Sequence, residues 1–120
     1  MSRRTEQVGD LVQSVLADVI RRRVKHPALM SVMISITRVE VTPDFARAKV
    51  YASILAADRE RADAMEALER SKSFLYRELK HEVSLRRVPR LEFIEDRSME
   101  EADRLTALMR EVAQSEDREL

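Results

Sequence analysis

Apolar residues fall at Val8, Leu11, Val12, Val15, Leu16, Val19, Ile20 and Val24, the three-and-four spacing that lines one side of a helix. This predicts a helix from Thr5 to Val24, with Thr5 as its N-cap and Gly9 inside its second turn. His26-Pro27 ends the pattern, because a residue before proline avoids the helical region. From Met33 to Val41 the period shortens to two and the residues become β-branched, which predicts a strand. Ile34 and Ile36 fall on one face and Val39 and Val41 on the other, so the alternation slips near Thr37-Arg38; a bulge or burial on both faces accounts for it. Thr42-Pro43-Asp44-Phe45 has proline where a type I turn favours it and joins this strand to a second in a hairpin. In the second strand Ala48, Val50, Ala52 and Ile54 face inward, and Arg47, Lys49, Tyr51 and Ser53 outward as a solvated face.

Ala56 to Arg61 reads as a short charged connection, after which Met65, Leu68, Leu75, Leu79 and Val83 predict a second amphipathic helix reaching Glu82 or beyond. Serine in mid-helix competes for backbone hydrogen bonds, so Ser71-Lys72-Ser73 is the place for a bend. Beyond Pro89, Leu91 and Phe93 alternate with Glu92 and Ile94 as a third strand. Ser98, with Glu101 three residues on, reads as the capping box of a last helix whose apolar side is Met99, Ala102, Leu105, Leu108, Met109 and Val112. The order helix, strand, strand, helix, strand, helix implies an α+β domain: a three-stranded sheet covered by helices on one side, with a kinked crossover helix making its second and third strands parallel.

A chain of 120 residues suits one such domain, assigned here to residues 1–112, with 113–120 as an acidic, disordered tail. With 44% hydrophobic residues the body is too apolar to stay unfolded. There is no cysteine, hence neither a disulfide framework nor a thiolate metal site. No apolar run approaches the roughly 20 residues needed to cross a bilayer. MSRRTEQVGD lacks the apolar core of a signal peptide, so the expectation is a cytoplasmic protein with no membrane partner. The formal net charge of zero conceals a polarised chain: residues 1–91 carry 18 Lys and Arg against 12 Asp and Glu, and residues 92–120 carry 4 against 10. A separated positive field raises the encounter rate with anions, and nucleic acid is the first such partner to consider.

Little points to catalysis. His26 and His81 are the only imidazoles and lie in different elements, with no serine elbow, phosphate loop or His-x-x-x-His spacing. Binding has more support. Arg70, Ser73, Arg77 and Lys80 recur at intervals of three and four, with Lys72, Arg86, Arg87 and Arg90 nearby, and Arg22 and Lys25 crowd the end of the first helix. Those last cations also suit the negative end of the helix macrodipole. Lys and Arg at fixed spacing on a rigid helix neutralise phosphates and position a nucleic-acid backbone without reading its sequence. Phe74, Tyr76 and Tyr51 are the aromatics available for stacking, and Phe74 lies beside the apolar stripe, so recognition by shape and backbone is expected. A module that meets only proteins, through a sheet edge or the terminal helix, is the alternative.

The hairpin TRVEVTPDFARAKVYASIL, the helix SKSFLYREL and the run LRRVPRLEFIEDRS resemble the ribosome-binding factor A family over about residues 3–112. The most specific part is Arg86, Pro89, Leu91, Phe93, Asp96 and Ser98, supported by Val39, Asp44, Ala48, Val50 and Tyr51. The resemblance implies a KH-like fold of the second type and a monomeric, non-enzymatic assembly factor with no cofactor and no small-molecule substrate. It further implies binding to the free 30S ribosomal subunit, a part in late maturation and in processing the 5′ region of 16S rRNA, and association with growth in the cold. The chain lacks the Gly-x-x-Gly loop of ordinary KH domains, and Ser71-Lys72-Ser73 stands where the family bends its helix at Ala-x-Gly.

Overall fold

The structure, a computed structural model, describes residues 2–119, with side chains described through Glu116. Helix α1 runs from Arg3 to Arg23. Its N-cap is Ser2, whose Oγ accepts from the Thr5 N–H at 3.2 Å, while Thr5 Oγ1 donates to the Ser2 carbonyl at 2.8 Å. Thr5 is therefore a buried first-turn residue, not the cap that the apolar periodicity placed there. The polar first turn, Arg3-Arg4, carries no apolar signal from which the true start was readable. The helix gives way to extended backbone at Val24, and Pro27 then opens a four-residue helix α2, Pro27–Met30, where its missing N–H costs nothing. His26 Nδ1 caps that turn by accepting from the Ala28 N–H at 3.2 Å.

Strand β1, Met33–Val41, pairs antiparallel with β2, Arg47–Leu55. The register runs from Met33 opposite Leu55 to Ile36 opposite Ala52 and resumes with Arg38 opposite Tyr51, leaving Thr37 as the extra residue of a bulge. The bulge returns Val39 and Val41 to the side occupied by Ile34 and Ile36, and all four pack on the core. In the connecting turn the Phe45 N–H donates to the Thr42 carbonyl at 2.8 Å. Phe45 itself takes a left-handed φ of 60°, unusual for an aromatic residue, while Asp44 accepts from Thr42 Oγ1 and the Ala46 N–H.

Helix α3 spans Asp58–Arg70 and α4 spans Lys72–Glu82, separated only by Ser71. The charged segment read as a connection therefore lies mostly in α3: Ala57 is its cap and Asp58 and Glu60 occupy the first turn, where acidic side chains favour the positive end of a helix. Strand β3, Arg90–Glu95, is parallel to β2, giving the sheet order β1-β2-β3. One face of the sheet, Ala48, Val50, Ala52, Ile54, Leu91 and Phe93, meets Val12, Leu16, Leu68, Leu75 and Leu79 from the helices in a single core. This is the α+β arrangement expected, with α1 to α4 on one side.

The last helix, α5, Ser98–Glu119, departs from expectation in three ways. Its first N–H, that of Ser98, donates to Asp96 Oδ1 at 2.9 Å, in place of a Ser98 capping box. It continues unbroken past Val112, where the tail was expected to begin. Its apolar side is open among the described residues: Met99, Leu105, Leu108, Met109 and Val112 are all more than half exposed. The molecule accordingly measures 65 × 37 × 17 Å, with a radius of gyration of 18.0 Å, against about 13–14 Å for a compact chain of this length.

Candidate nucleic-acid interface

Helix α4 turns Leu75 and Leu79 into the core, which leaves Ser73, Arg77 and Lys80 together on its exposed side. Lys80 Nζ lies 5.5 Å from the centre of the Tyr76 ring, and the Tyr76 hydroxyl donates to the Val88 carbonyl at 3.2 Å. Tyr76 thereby ties the loop carrying Arg86 and Arg87 to the helix carrying Arg77 and Lys80. The same loop is held from the other side by Arg87, which donates to the Asp44 carbonyl in the hairpin turn at 3.4 Å, and its Pro89 is fully buried. Arg90 follows at the start of β3, exposed, with its N–H donating to the Ala46 carbonyl at 2.9 Å.

Ion pairing divides the candidate cations into two groups. Arg70 binds Glu66 at 2.7 Å, Lys72 binds Glu69, and Arg22 binds Asp18 at 3.0 Å, each within its own turn of chain. Among the described residues Arg77, Lys80, Arg86, Arg87, Arg90 and Lys25 have no carboxylate within ion-pair distance. Exposed pairs of the first kind contribute about 0–1 kcal/mol and leave little net field. The unpaired set is therefore the stronger anion surface. Among the described residues no hydrogen bond or ion pair joins Arg22 or Lys25 to α4; the ion pair between α1 and α4 is that of Arg23 with Glu78 at 2.6 Å.

Parallel pairing adds Arg47. It sits directly across from Arg90 in the β2–β3 register, and both side chains are exposed. Like charges placed opposite one another on neighbouring strands repel, and an anion between them relieves that. On β2 alone Arg47 looks like part of an ordinary solvated face; only the strand register, a long-range property, puts it beside Arg90. Of the aromatics, Phe74 packs against the core as expected, and Tyr51 is half-buried under Arg38, whose guanidinium lies 4.0 Å from the ring centre. None stands free to stack on a base.

The acidic pole is fastened to the body by a separate charged cluster. Arg61 of α3 is 9% exposed and meets Glu95 of β3 at 2.9 Å, Glu100 of α5 at 3.2 Å, and Asp58. In the sequence Arg61 is one charge among many on a charged segment, with nothing local to mark its partners. Beside this cluster, hydrogen bonds from Ser98 and then from Thr37 hold the Asp96 carboxyl down at about 2, below the usual 3.8.

The family model for ribosome-binding factor A matches residues 4–109. The chain belongs to the ribosome-binding factor A family. A family member from Thioalkalivibrio sulfidiphilus is 43% identical over 115 residues, covering 96% of this chain and 87% of its own. The crystal structure of ribosome-binding factor A from Thermus thermophilus superposes with a TM-score of 0.66 at 25% identity, over 76% of this chain and 93% of that one. A homology model of the Thermus thermophilus ribosome-binding factor A, fitted into the map of its complex with 30S, gives 0.61 at 26% identity over 74% and 91%.

Proposed function

We propose that this chain binds the free 30S ribosomal subunit through rRNA and acts there as a monomeric, cytoplasmic assembly factor without catalytic activity. The observation that carries the reading is the run of exposed cations without carboxylate partners, Arg77 and Lys80 on α4, Arg86 and Arg87 in the loop, and Arg90 beside Arg47 on the sheet. They belong to one connected scaffold held by Tyr76 and Arg87. Fixed cations on rigid elements recognise phosphate spacing and thus the shape of folded RNA. The 30S complex of the Thermus thermophilus relative supports the same partner. Within this reading the chain assists late subunit maturation and processing of the 5′ region of 16S rRNA, with its demand greatest in the cold. Arg70, Lys72, Ser73, Arg22 and Lys25 extend the proposed surface, with Arg70, Lys72 and Arg22 contributing less because they are already paired.

The decisive experiment is co-sedimentation of the full chain with purified 30S subunits. Arg77→Glu with Lys80→Glu is expected to weaken binding at least a hundredfold at moderate salt, with thermal unfolding nearly unchanged because both side chains are exposed. The Arg70→Glu variant, which sacrifices an existing pair with Glu66, is expected to lose much less. Full binding by the α4 double variant would overturn the assignment.

A further inference from the structure

Helix α5 leaves the body with an amphipathic pattern and, among the described residues, nothing against its apolar side. Leu105, Leu108, Met109 and Val112 line one side, flanked by Ala102 and Ala113, and 54–65% of the surface of each of the four large side chains is exposed. Beyond the first turn, where Glu100 meets Arg61, every described side chain from Glu101 to Glu116 is exposed. A stripe of this kind on a helix that already holds its shape is an interaction surface. Its charge identifies the occupant. From residue 98 to 116 the helix carries five Asp and Glu against two Arg, and Glu101 and Glu116 stand at the two ends of the apolar stripe.

RNA is a poor occupant, because phosphate would meet carboxylates. A second copy is also poor. An antiparallel pair that matches Leu105 to Val112 and Leu108 to Met109 sets Glu101 against Glu116 at both ends, and a parallel pair sets each glutamate against itself. We infer that α5 is a protein-binding helix whose occupant is a basic amphipathic helix of a small-subunit protein, with apolar anchors on the Leu105–Val112 stripe and Lys or Arg reaching Glu101 and Glu116. Those glutamates are 15 residues apart, or about 22 Å along a helix. The inference rests on the proposed binding to 30S and divides that contact between two poles, RNA on α4 and protein on α5.

The test compares the full wild-type chain with the variant Leu105→Ala, Leu108→Ala, Val112→Ala, which preserves helix propensity and charge and removes nothing from the core. Purified 30S subunits and protein-free 16S rRNA are the probes, with sedimentation equilibrium of the chain alone. The triple alanine variant is expected to lose at least tenfold in affinity for 30S while binding naked rRNA like the wild type, and both proteins are expected to be monomers. Unchanged 30S binding overturns the inference. Equal losses on 30S and naked rRNA assign the stripe to RNA and overturn it, and a wild-type dimer dissolved by the substitutions assigns it to a second copy and does the same. Arg77→Glu with Lys80→Glu separates this result from the reading beneath it, since that variant is expected to lose affinity for both probes. A wild-type chain that binds neither probe brings down the proposed function itself.

Discussion

The chain has one glycine, and its position is explained by a contact outside its own element. A Cβ built on Gly9 would lie 2.6 Å from the Val39 carbonyl oxygen, so α1 rests on the backbone of β1 just beyond the Thr37 bulge only because no side chain intervenes. Two effects oppose each other in Gly9→Ala. Alanine favours a helix by about 1 kcal/mol, whereas forcing a methyl group into a filled site costs about 1–3 kcal/mol. The obstructing atom is a backbone carbonyl within a paired strand, which cannot swing aside as a side chain would, so the clash wins. Urea unfolding is expected to show Gly9→Ala less stable by up to about 2 kcal/mol; greater stability would mean that α1 shifts freely over the sheet. Periodicity put Gly9 inside the helix but could not say why it is glycine, because the reason lies 30 residues away.

At the scale of elements, α1, β2 and β3 were legible because each has a buried face with a regular period that the burial follows, and β1 was legible as two alternating halves on either side of its bulge. The interruption at Ser71 falls within the segment that mid-helix serines singled out. What stayed hidden depends on partners. The start of α3 lies in charged residues, and Arg61 acquires its role only when Glu95 and Glu100 arrive from β3 and α5. One oxygen of Glu95 is buried with no hydrogen bond, and its compensation is the charge of Arg61 at 2.9 Å, with Arg97 farther off at 3.9 Å. Arg61→Met is expected to cost about 2–3 kcal/mol, less than for a fully buried pair because Asp58 and Glu100 reach solvent. Adding Glu95→Gln should restore part of that loss, since it removes the stranded charge; urea unfolding of both variants tests the pair. The adjacent cap titrates. Asp96 is charged more readily in the folded chain, at about 2, than at its ordinary 3.8, so its contribution is complete above pH 3.8 and disappears as the pH falls toward 2. The difference in melting temperature between wild type and Asp96→Ala should therefore shrink over that range, and a difference that stays constant would show that the ionised carboxylate is not what caps α5.

For the molecule as a whole, the charge polarity visible in the sequence becomes a distance. The basic surface lies on α4 and the sheet, and the acidic pole is carried outward on α5, whose 22 residues extend about 33 Å. One use for that pole is to keep the domain from adhering indiscriminately to RNA, and the range of electrostatics limits it. At physiological ionic strength charges are screened within about 8 Å, whereas at about 0.01 M the range is about 30 Å. The far end of α5 is thus several screening lengths from its own base in the first condition and about one in the second. Removing residues 113–120, which carry three acidic residues and one arginine, is expected to raise affinity for unstructured RNA about twofold at about 0.01 M salt and not measurably at about 0.15 M. A gain that persists at the higher salt would mean that the tail folds back over Arg77 and Lys80 instead of standing away from them. No gain at either salt would remove the acidic tail from RNA discrimination altogether and leave α5 with protein contact as its work.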